Sequence, residues 1–226
     1  MITWLALPRR PEPEVMEEAG GVEAYVSAAA QAYLDAVDNT FVDRAVTLGV
    51  REGVVLDAGT GPGSIPLKLA RRLPRLRVVG ADLSPAMLHE AVKKARERGL
   101  GDRASFVLAN ASALCFGDGV FDLVISNSLL HHLSDPVAAF NEWARVSKPG
   151  GKILLRDLRR PSRLTFAAHV AWHGRHYSGR MKQLYEDSVR AAYTPDELRN
   201  LARASRLSAA RIFLRRQTHI GLVWEK

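Results

Sequence analysis

Val54-Val55-Leu56-Asp57-Ala58-Gly59-Thr60-Gly61-Pro62-Gly63, with helical spacing of apolar residues from Ile65 to Leu73, reads as a short buried strand, a glycine-rich turn and a helix. Glycines at alternate positions let the chain reverse sharply and bring backbone N–H groups close to a ligand without Cβ interference. Dinucleotide-binding turns also use glycines, but their third glycine is absent here. An acid at the strand end would moreover repel a pyrophosphate. The Asp57 carboxylate is better suited to accept a hydrogen bond, directly or through water, from the ammonium of an amino-acid moiety.

Asp82 follows 25 residues after Asp57, at the end of the next strand, Arg77 to Asp82. A Rossmann-like site places a carboxylate there to accept both ribose hydroxyls. The competing reading is an acid at the start of a helix, beside Ser84. Ser84-Pro85 is a good helix start, with serine as N-cap and proline at the first helical position, and Gly99 stops that helix after Arg98.

Working outward, strands are expected at Ala104 to Leu108, Phe121 to Ser126 and Lys152 to Asp157, the last entered through Pro149-Gly150-Gly151. A helix falls around Pro136 to Val146. Alternating strands and helices imply right-handed crossovers and a parallel sheet. Toward the N-terminus, Arg9 to Glu18 reads as an extended surface arm, and Val22 to Leu48 as one helix or a helix pair. From Leu158 to Tyr193 the pattern is helical but rich in His, Arg and Tyr. Thr194-Pro195-Asp196-Glu197 is a capping box opening a helix to about Ala204. Ala210 to Arg215 and His219 to Trp224 resemble a hairpin.

The 226 residues, 47% hydrophobic and 25% charged, suit one α/β domain with a sizeable core. We divide it as an arm and helical lid (1–48), a cofactor-binding core (49–157), a helical insertion or lid (158–193) and a C-terminal helix and hairpin (194–226). Cys115 is the single cysteine, so no intrachain disulfide can form, and its apolar neighbours suggest a core thiol. Ile2 to Leu7 is too short for a signal segment and no stretch is long and apolar enough to span a membrane, so a soluble cytoplasmic protein with no membrane partner is expected. The net charge of +8 lies in the last third: residues 152–226 hold 16 Lys+Arg against 6 Asp+Glu. RNA is one candidate partner for that excess. A compositional bias toward arginine (25 Arg, 7 Lys) is the other explanation. The oligomeric state is left open.

Four ordered motifs, Val54 to Gly63, Gly80-Ala81-Asp82-Leu83-Ser84-Pro85-Ala86-Met87-Leu88, Phe121-Asp122-Leu123-Val124-Ile125-Ser126-Asn127 and Lys148-Pro149-Gly150-Gly151-Lys152, resemble those of class I S-adenosyl-L-methionine-dependent methyltransferases. Further stretches, including Arg9 to Met16, Ser126 to Pro136 and Asp157 to Pro161, are similar to a group of bacterial methyltransferases of unassigned substrate. The resemblance implies a Rossmann-like three-layer sandwich whose seven-stranded, mostly parallel sheet ends in an antiparallel hairpin. It implies S-adenosyl-L-methionine as cofactor and S-adenosyl-L-homocysteine as product. Asp57, Ala58, Gly59, Thr60, Gly61 and Gly63 would then wrap the methionine part, Asp82 the ribose, and Leu83 and Met87 the adenine faces. Asn110-Ala111 would hold the adenine edge where many relatives have Asp-Ala; a polar turn is the competing role for Asn110.

Asn127 and Ser128 follow the fourth strand at the carboxyl edge of the sheet, where ligands of such folds bind. His131 is the candidate base or polar wall facing the cofactor, with His132 packing or capping. Asp157 is similarly placed, to orient a substrate or to anchor Arg159 or Arg160. Tyr25 and Tyr33 from the N-terminal helix, with Phe166, His169, Trp172, His173, His176, Tyr177 and Tyr185 from the insertion, are expected around a small-molecule acceptor; the competing reading makes Phe166, Val170 and Trp172 core contacts and the histidines a solvated face. No metal is assigned: His169, His173 and His176 lack a nearby fourth ligand apart from Glu186 and Asp187.

Overall fold

The computed structural model describes residues 6–12 and 28–226, with side chains from residue 34 onward in the second segment. Tyr25 and the side chain of Tyr33 therefore lie outside the described residues. Helix α1 is Ala28–Thr47, followed by β1 (Glu52–Ala58), α2 (Ser64–Arg72), β2 (Arg75–Asp82), α3 (Pro85–Glu97), β3 (Ala104–Leu108) and β4 (Phe121–Asn127). Then come α4 (Pro136–Val146), β5 (Ser147–Leu158), α5 (Phe166–His173), α6 (Gly179–Ala191), α7 (Pro195–Arg203), β6 (Arg211–Arg215) and β7 (His219–Glu225). The sheet order is β3-β2-β1-β4-β5-β7-β6; β7 runs antiparallel to both neighbours and the rest run parallel to one another. No described helix is long and apolar enough to cross a membrane.

The unbroken apolar run of β1 follows from its place in the middle of this sheet, covered on both faces. Val55 packs into the layer of Phe41, Leu67 and Leu69, and its neighbour Leu56 into the opposite layer of Phe140 and Trp143. Strand order reverses between β1 and β4, so a crevice opens at their carboxyl ends, where Asp57 is the penultimate residue of β1 and Asn127 the last of β4.

The helix starts match the local chemistry. The Ser84 hydroxyl accepts from Met87 N, and an Asp135 carboxylate oxygen accepts from Ala138 N at 2.9 Å. At α7 the Thr194 hydroxyl accepts from Glu197 N while Glu197 accepts from Thr194 N at 2.8 Å, and the same glutamate pairs with the buried Arg160. Thr194→Ala is expected to cost about 1 kcal/mol and lower the melting temperature by roughly 2–4 °C. A thermal unfolding curve that does not move would remove the cap from the account.

Several expectations need correction. Strand β5 begins five residues early, at Ser147 opposite Phe121, and the Pro-Gly-Gly segment forms an irregularity within it before Lys152 joins Leu123. Cys115 is exposed rather than core: in the irregular segment after β3 its neighbour Leu114 turns inward instead. Phe166 and Val170 are buried, but Trp172 is 65% exposed and stacks under Arg175. Of the expected arm, residues 9–12 are described and run along the surface, and residues 13–18 lie outside the described residues. Arg9 donates to Ala191 O and His131 O, stacks on Tyr193, and is followed by Arg10 N donating to Arg190 O, so residues 9–12 are docked over the end of α6.

Candidate active site

Gly59, Gly61 and Gly63 all adopt positive φ, 75°, 51° and 74°. At Gly59 a Cβ would also stand 2.7 Å from Leu129 Cδ1, so the turn requires glycine for both conformation and space. Asp57 lies beneath this turn, 2% exposed, accepting from the Thr60 hydroxyl at 2.9 Å. Burial pushes its carboxyl up to about 7, with the nearby Asp82 and Asp38 charges adding to the rise against the Thr60 hydrogen bond. Asp82 accepts from Gly61 N at 2.8 Å with one oxygen and from Ser84 N at 2.9 Å with the other. Each oxygen keeps a further lone pair, so the carboxylate is anchored yet still able to receive a pair of vicinal hydroxyls.

The cleft beside it is lined by Gly59, Asp82, Leu83, Met87, Asn110 and Ala111, and closed by Asn127, Ser128, Leu129 and His132. This gathers most of the expected cofactor residues. Asp57, Ala58, Thr60, Gly61 and Gly63 support the wall from behind or beside it. Asn110 lines the cleft, and its Oδ1 accepts from Ser112 N at 2.7 Å in a polar turn. The residues fit an adenosyl group with an amino-acid tail. There is a carboxylate at ribose depth, a pair of apolar side chains for a flat ring, and a glycine turn whose added Cβ would collide.

After β4, Ser128 holds φ 58°, an uncommon conformation for a residue with a Cβ, while its N–H donates to Arg156 O. The chain is thereby turned off the strand into a short 3-10 turn, Leu130–His132. That turn delivers His131 to Asp157 at the end of the neighbouring β5. Asp157 Oδ2 accepts from His131 N at 3.0 Å, and Oδ1 lies 2.6 Å from His131 Nδ1. Both side chains are almost fully buried. Burial by itself would lower the His131 pKa, but the charge and hydrogen bond of Asp157, with Glu12 beyond, hold it above the ordinary histidine value. Burial would likewise raise Asp157, and His131 with the backbone N–H donors holds it below the usual carboxylate range. Asp157 is thus the partner of His131, not of Arg159 or Arg160; Arg160 pairs with Glu197.

A second, more apolar pocket adjoins the first. Leu34, Val37, Leu158, Tyr177, Met181 and Leu184 supply its walls, and Glu12, Asp38, His131, His132 and His219 its polar points. Asn127, Ser128 and His132 line both cavities. The histidine bordering the cofactor cleft is therefore His132, which sequence spacing had assigned to packing, whereas His131 faces the second pocket only. Of the insertion residues Tyr177 is in the wall. His169 stands behind it, 3.4 Å from the Tyr185 hydroxyl and stacked on His173, and neither histidine lines the pocket. Burial pushes His169 down to about 4 and His219 down to about 3, so both are neutral near pH 7. Glu12 and His219 were missed from sequence: one lies in a proline-rich arm and the other in a hairpin strand, neither with a motif around it.

A family model described as a methyltransferase domain matches residues 55–151. The demethylmenaquinone methyltransferase of Thermus thermophilus is 39% identical over 125 residues, covering 54% of this chain and 56% of that protein. The ubiquinone/menaquinone biosynthesis C-methyltransferase UbiE of Syntrophotalea carbinolica is 32% identical over 146 residues, covering 65% and 61%. The chain thus spans less than two thirds of the length of these relatives. Among solved structures, the plantazolicin methyltransferase BpumL, in complex with a triazolic desmethylPZN analog and SAH, superposes with a TM-score of 0.67 at 13% identity, over 92% of this chain and 89% of that one. With the strand order, the glycine turn, and Asp57 and Asp82 near the ends of adjacent parallel strands, residues 55–151 form a methyltransferase domain, and the chain resembles the class I S-adenosyl-L-methionine-dependent methyltransferases in fold.

Proposed function

We propose that this protein transfers a methyl group to a small aromatic hydroxyl compound, with His131 as the base and Asp157 as the residue that orients it. The observation that carries the reading is the junction of the two pockets at Asn127, Ser128 and His132, with the Asp157–His131 pair on the acceptor side. Bound S-adenosyl-L-methionine supplies an electrophilic methyl on a sulfonium and departs as S-adenosyl-L-homocysteine. Asp57 receives its ammonium, the Gly59–Gly63 turn its methionine chain, Asp82 its ribose, Leu83 and Met87 its adenine faces, and Asn110-Ala111 the adenine edge. With Nδ1 committed to Asp157, His131 Nε2 is the nitrogen left to take the acceptor's proton, and the apolar wall excludes water from the transfer. A ring oxygen or an adjacent ring carbon becomes nucleophilic once the hydroxyl proton has gone. The quinone-biosynthetic names of the relatives support this acceptor class.

A small acceptor is favoured over RNA because the second pocket is walled by apolar side chains, and part of the C-terminal arginine charge is already engaged. Arg156 and Arg160 are buried, Arg190 pairs with Glu186, and Arg199 pairs with Asp196. Labelled-methyl transfer into a lysate, fractionated into small molecules, RNA and protein, tests the assignment. Label in the apolar small-molecule fraction is expected; label confined to RNA, or cofactor binding without any transfer, would overturn it.

Cofactor affinity should fall as pH drops below about 7. The Asp57 carboxyl is raised in the free protein, whereas the ammonium favours its ionised form, so binding at pH 6 releases a proton. The dissociation constant then rises by up to about tenfold per pH unit. Calorimetry at pH 6 in two buffers of different ionisation enthalpy measures that proton directly, and identical heats would refute the contact.

A further inference from the structure

We infer that Glu12, His131 and His132 form a binding site for a divalent transition-metal ion, zinc foremost, at the mouth of the acceptor pocket. Glu12 Oε2 lies 3.8 Å from both His131 Nε2 and His132 Nδ1, and one ligand atom from each residue falls within a 4.8 Å cluster. Among the described residues this is the group of histidines and acids that converges so closely.

Zinc bonds to nitrogen and oxygen of about 2.0–2.2 Å set tetrahedral ligand–ligand edges near 3.4 Å. The two carboxylate edges therefore need to close by only about 0.4 Å. Asp157 holds His131 through its backbone N–H and Nδ1, while His132 stands at the pocket edge and Glu12 on the arm.

Three further observations point to an ion rather than a chance approach. Glu12 Oε2 is buried with no hydrogen-bond partner, a costly state that a cation at the centre of the cluster would relieve. Asp157 grips His131 Nδ1 at 2.6 Å, which is the outer-shell arrangement that fixes the tautomer and strengthens the opposite nitrogen as a ligand. Finally, the arm carrying Glu12 is tied down by the Arg9 hydrogen bonds to Ala191 O and His131 O, so the carboxylate is delivered by a fixed backbone. Two imidazoles and one carboxylate, with a remaining coordination position facing a pocket, is a donor set suited to zinc or another borderline divalent ion. Magnesium and calcium, which prefer all-oxygen shells, are disfavoured.

The consequence for the proposed reaction is exclusive occupancy. The lone pair of His131 Nε2 can take the acceptor's proton or bind the ion, but not both, so zinc switches the base off and an acceptor oxygen can complete the ion's coordination instead. The binding claim does not depend on the methyltransferase reading, because it is measured without cofactor or acceptor.

The test uses the full chain, stripped with chelator and titrated at pH 8 with Zn2+ against a chromogenic competitor, and separately with Co2+ followed by visible absorption. One equivalent at micromolar or tighter affinity, with a tetrahedral Co2+ spectrum, is expected. Glu12→Gln and His132→Asn should each weaken binding at least tenfold, and Asp157→Asn by roughly 10- to 100-fold through the ligand it holds. Thermal melts of the variants confirm that they fold. No stoichiometric ion at about 100 µM Zn2+ would overturn the site, that being far above the affinity of such donor sets. Binding unchanged in Glu12→Gln and His132→Asn would equally overturn it, and would direct the ion to the stacked His169 and His173. Undiminished methyl transfer in Asp157→Asn, with Zn2+ binding weakened as expected, would speak against the base assignment alone.

Discussion

Asp157→Asn is expected to cut kcat by roughly 100- to 1,000-fold with little change in cofactor affinity, in line with the loss of a general base held in the wrong tautomer. The asparagine has nearly the same shape, but its amide cannot favour the Nδ1–H form of His131, so Nε2 no longer offers its lone pair to the acceptor. The pH profile separates this from simple misfolding. In the native protein Asp157 and Glu12 keep His131 protonated to a higher pH than an ordinary imidazole, so the rate should climb with pH through that raised value. Without the carboxylate, burial dominates and the inflection should move to lower pH. A variant with wild-type kcat, or one whose inflection stays in place, would remove the dyad from the mechanism.

Asp82→Ala should be the most damaging change to cofactor binding. Each charge-assisted hydrogen bond to a ribose hydroxyl contributes about 1.5–3 kcal/mol, so losing two raises the Kd by at least about 100-fold. The same carboxylate pins Gly61 N and Ser84 N, so part of the effect comes through a loosened glycine turn and helix start. Calorimetric titration with S-adenosyl-L-homocysteine measures it, with a melting curve to verify the fold. A Kd within threefold of the native value would mean that the ribose is held elsewhere.

The fold was legible wherever local chemistry is sufficient: the apolar run of β1, the Ser84-Pro85 and Thr194-Pro195 starts, the glycine that ends α3. These are decided within a few residues of chain. That Gly59, Asp82, Leu83, Met87, Asn110 and Ala111 would line one cleft was legible for the same reason. What was not legible depends on which elements become neighbours. His131 and Asp157 are 26 residues apart and meet because β4 and β5 are adjacent parallel strands and because Ser128 accepts a positive φ, which no side-chain pattern announces. Glu12 reaches the pocket through contacts of the arm with Ala191 O, 182 residues along the chain from Arg9, and with Arg190 O, nearly as far from Arg10. Cys115 was misjudged because apolar neighbours in sequence say little about which side of a short segment turns inward.

The sharing of Asn127, Ser128 and His132 by two cavities bears on how this protein can be altered. Residues proposed to meet the cofactor fall between positions 57 and 132, whereas the walls of the second pocket come mostly from outside that interval: the arm, α1, the insertion and β7. Acceptor choice could therefore be rewritten by exchanging flanking segments, leaving the methyl-donor machinery intact. The three shared positions are the exception. A substitution there must satisfy two ligands at once, which makes that short stretch the seam along which the two halves of the site constrain each other's divergence.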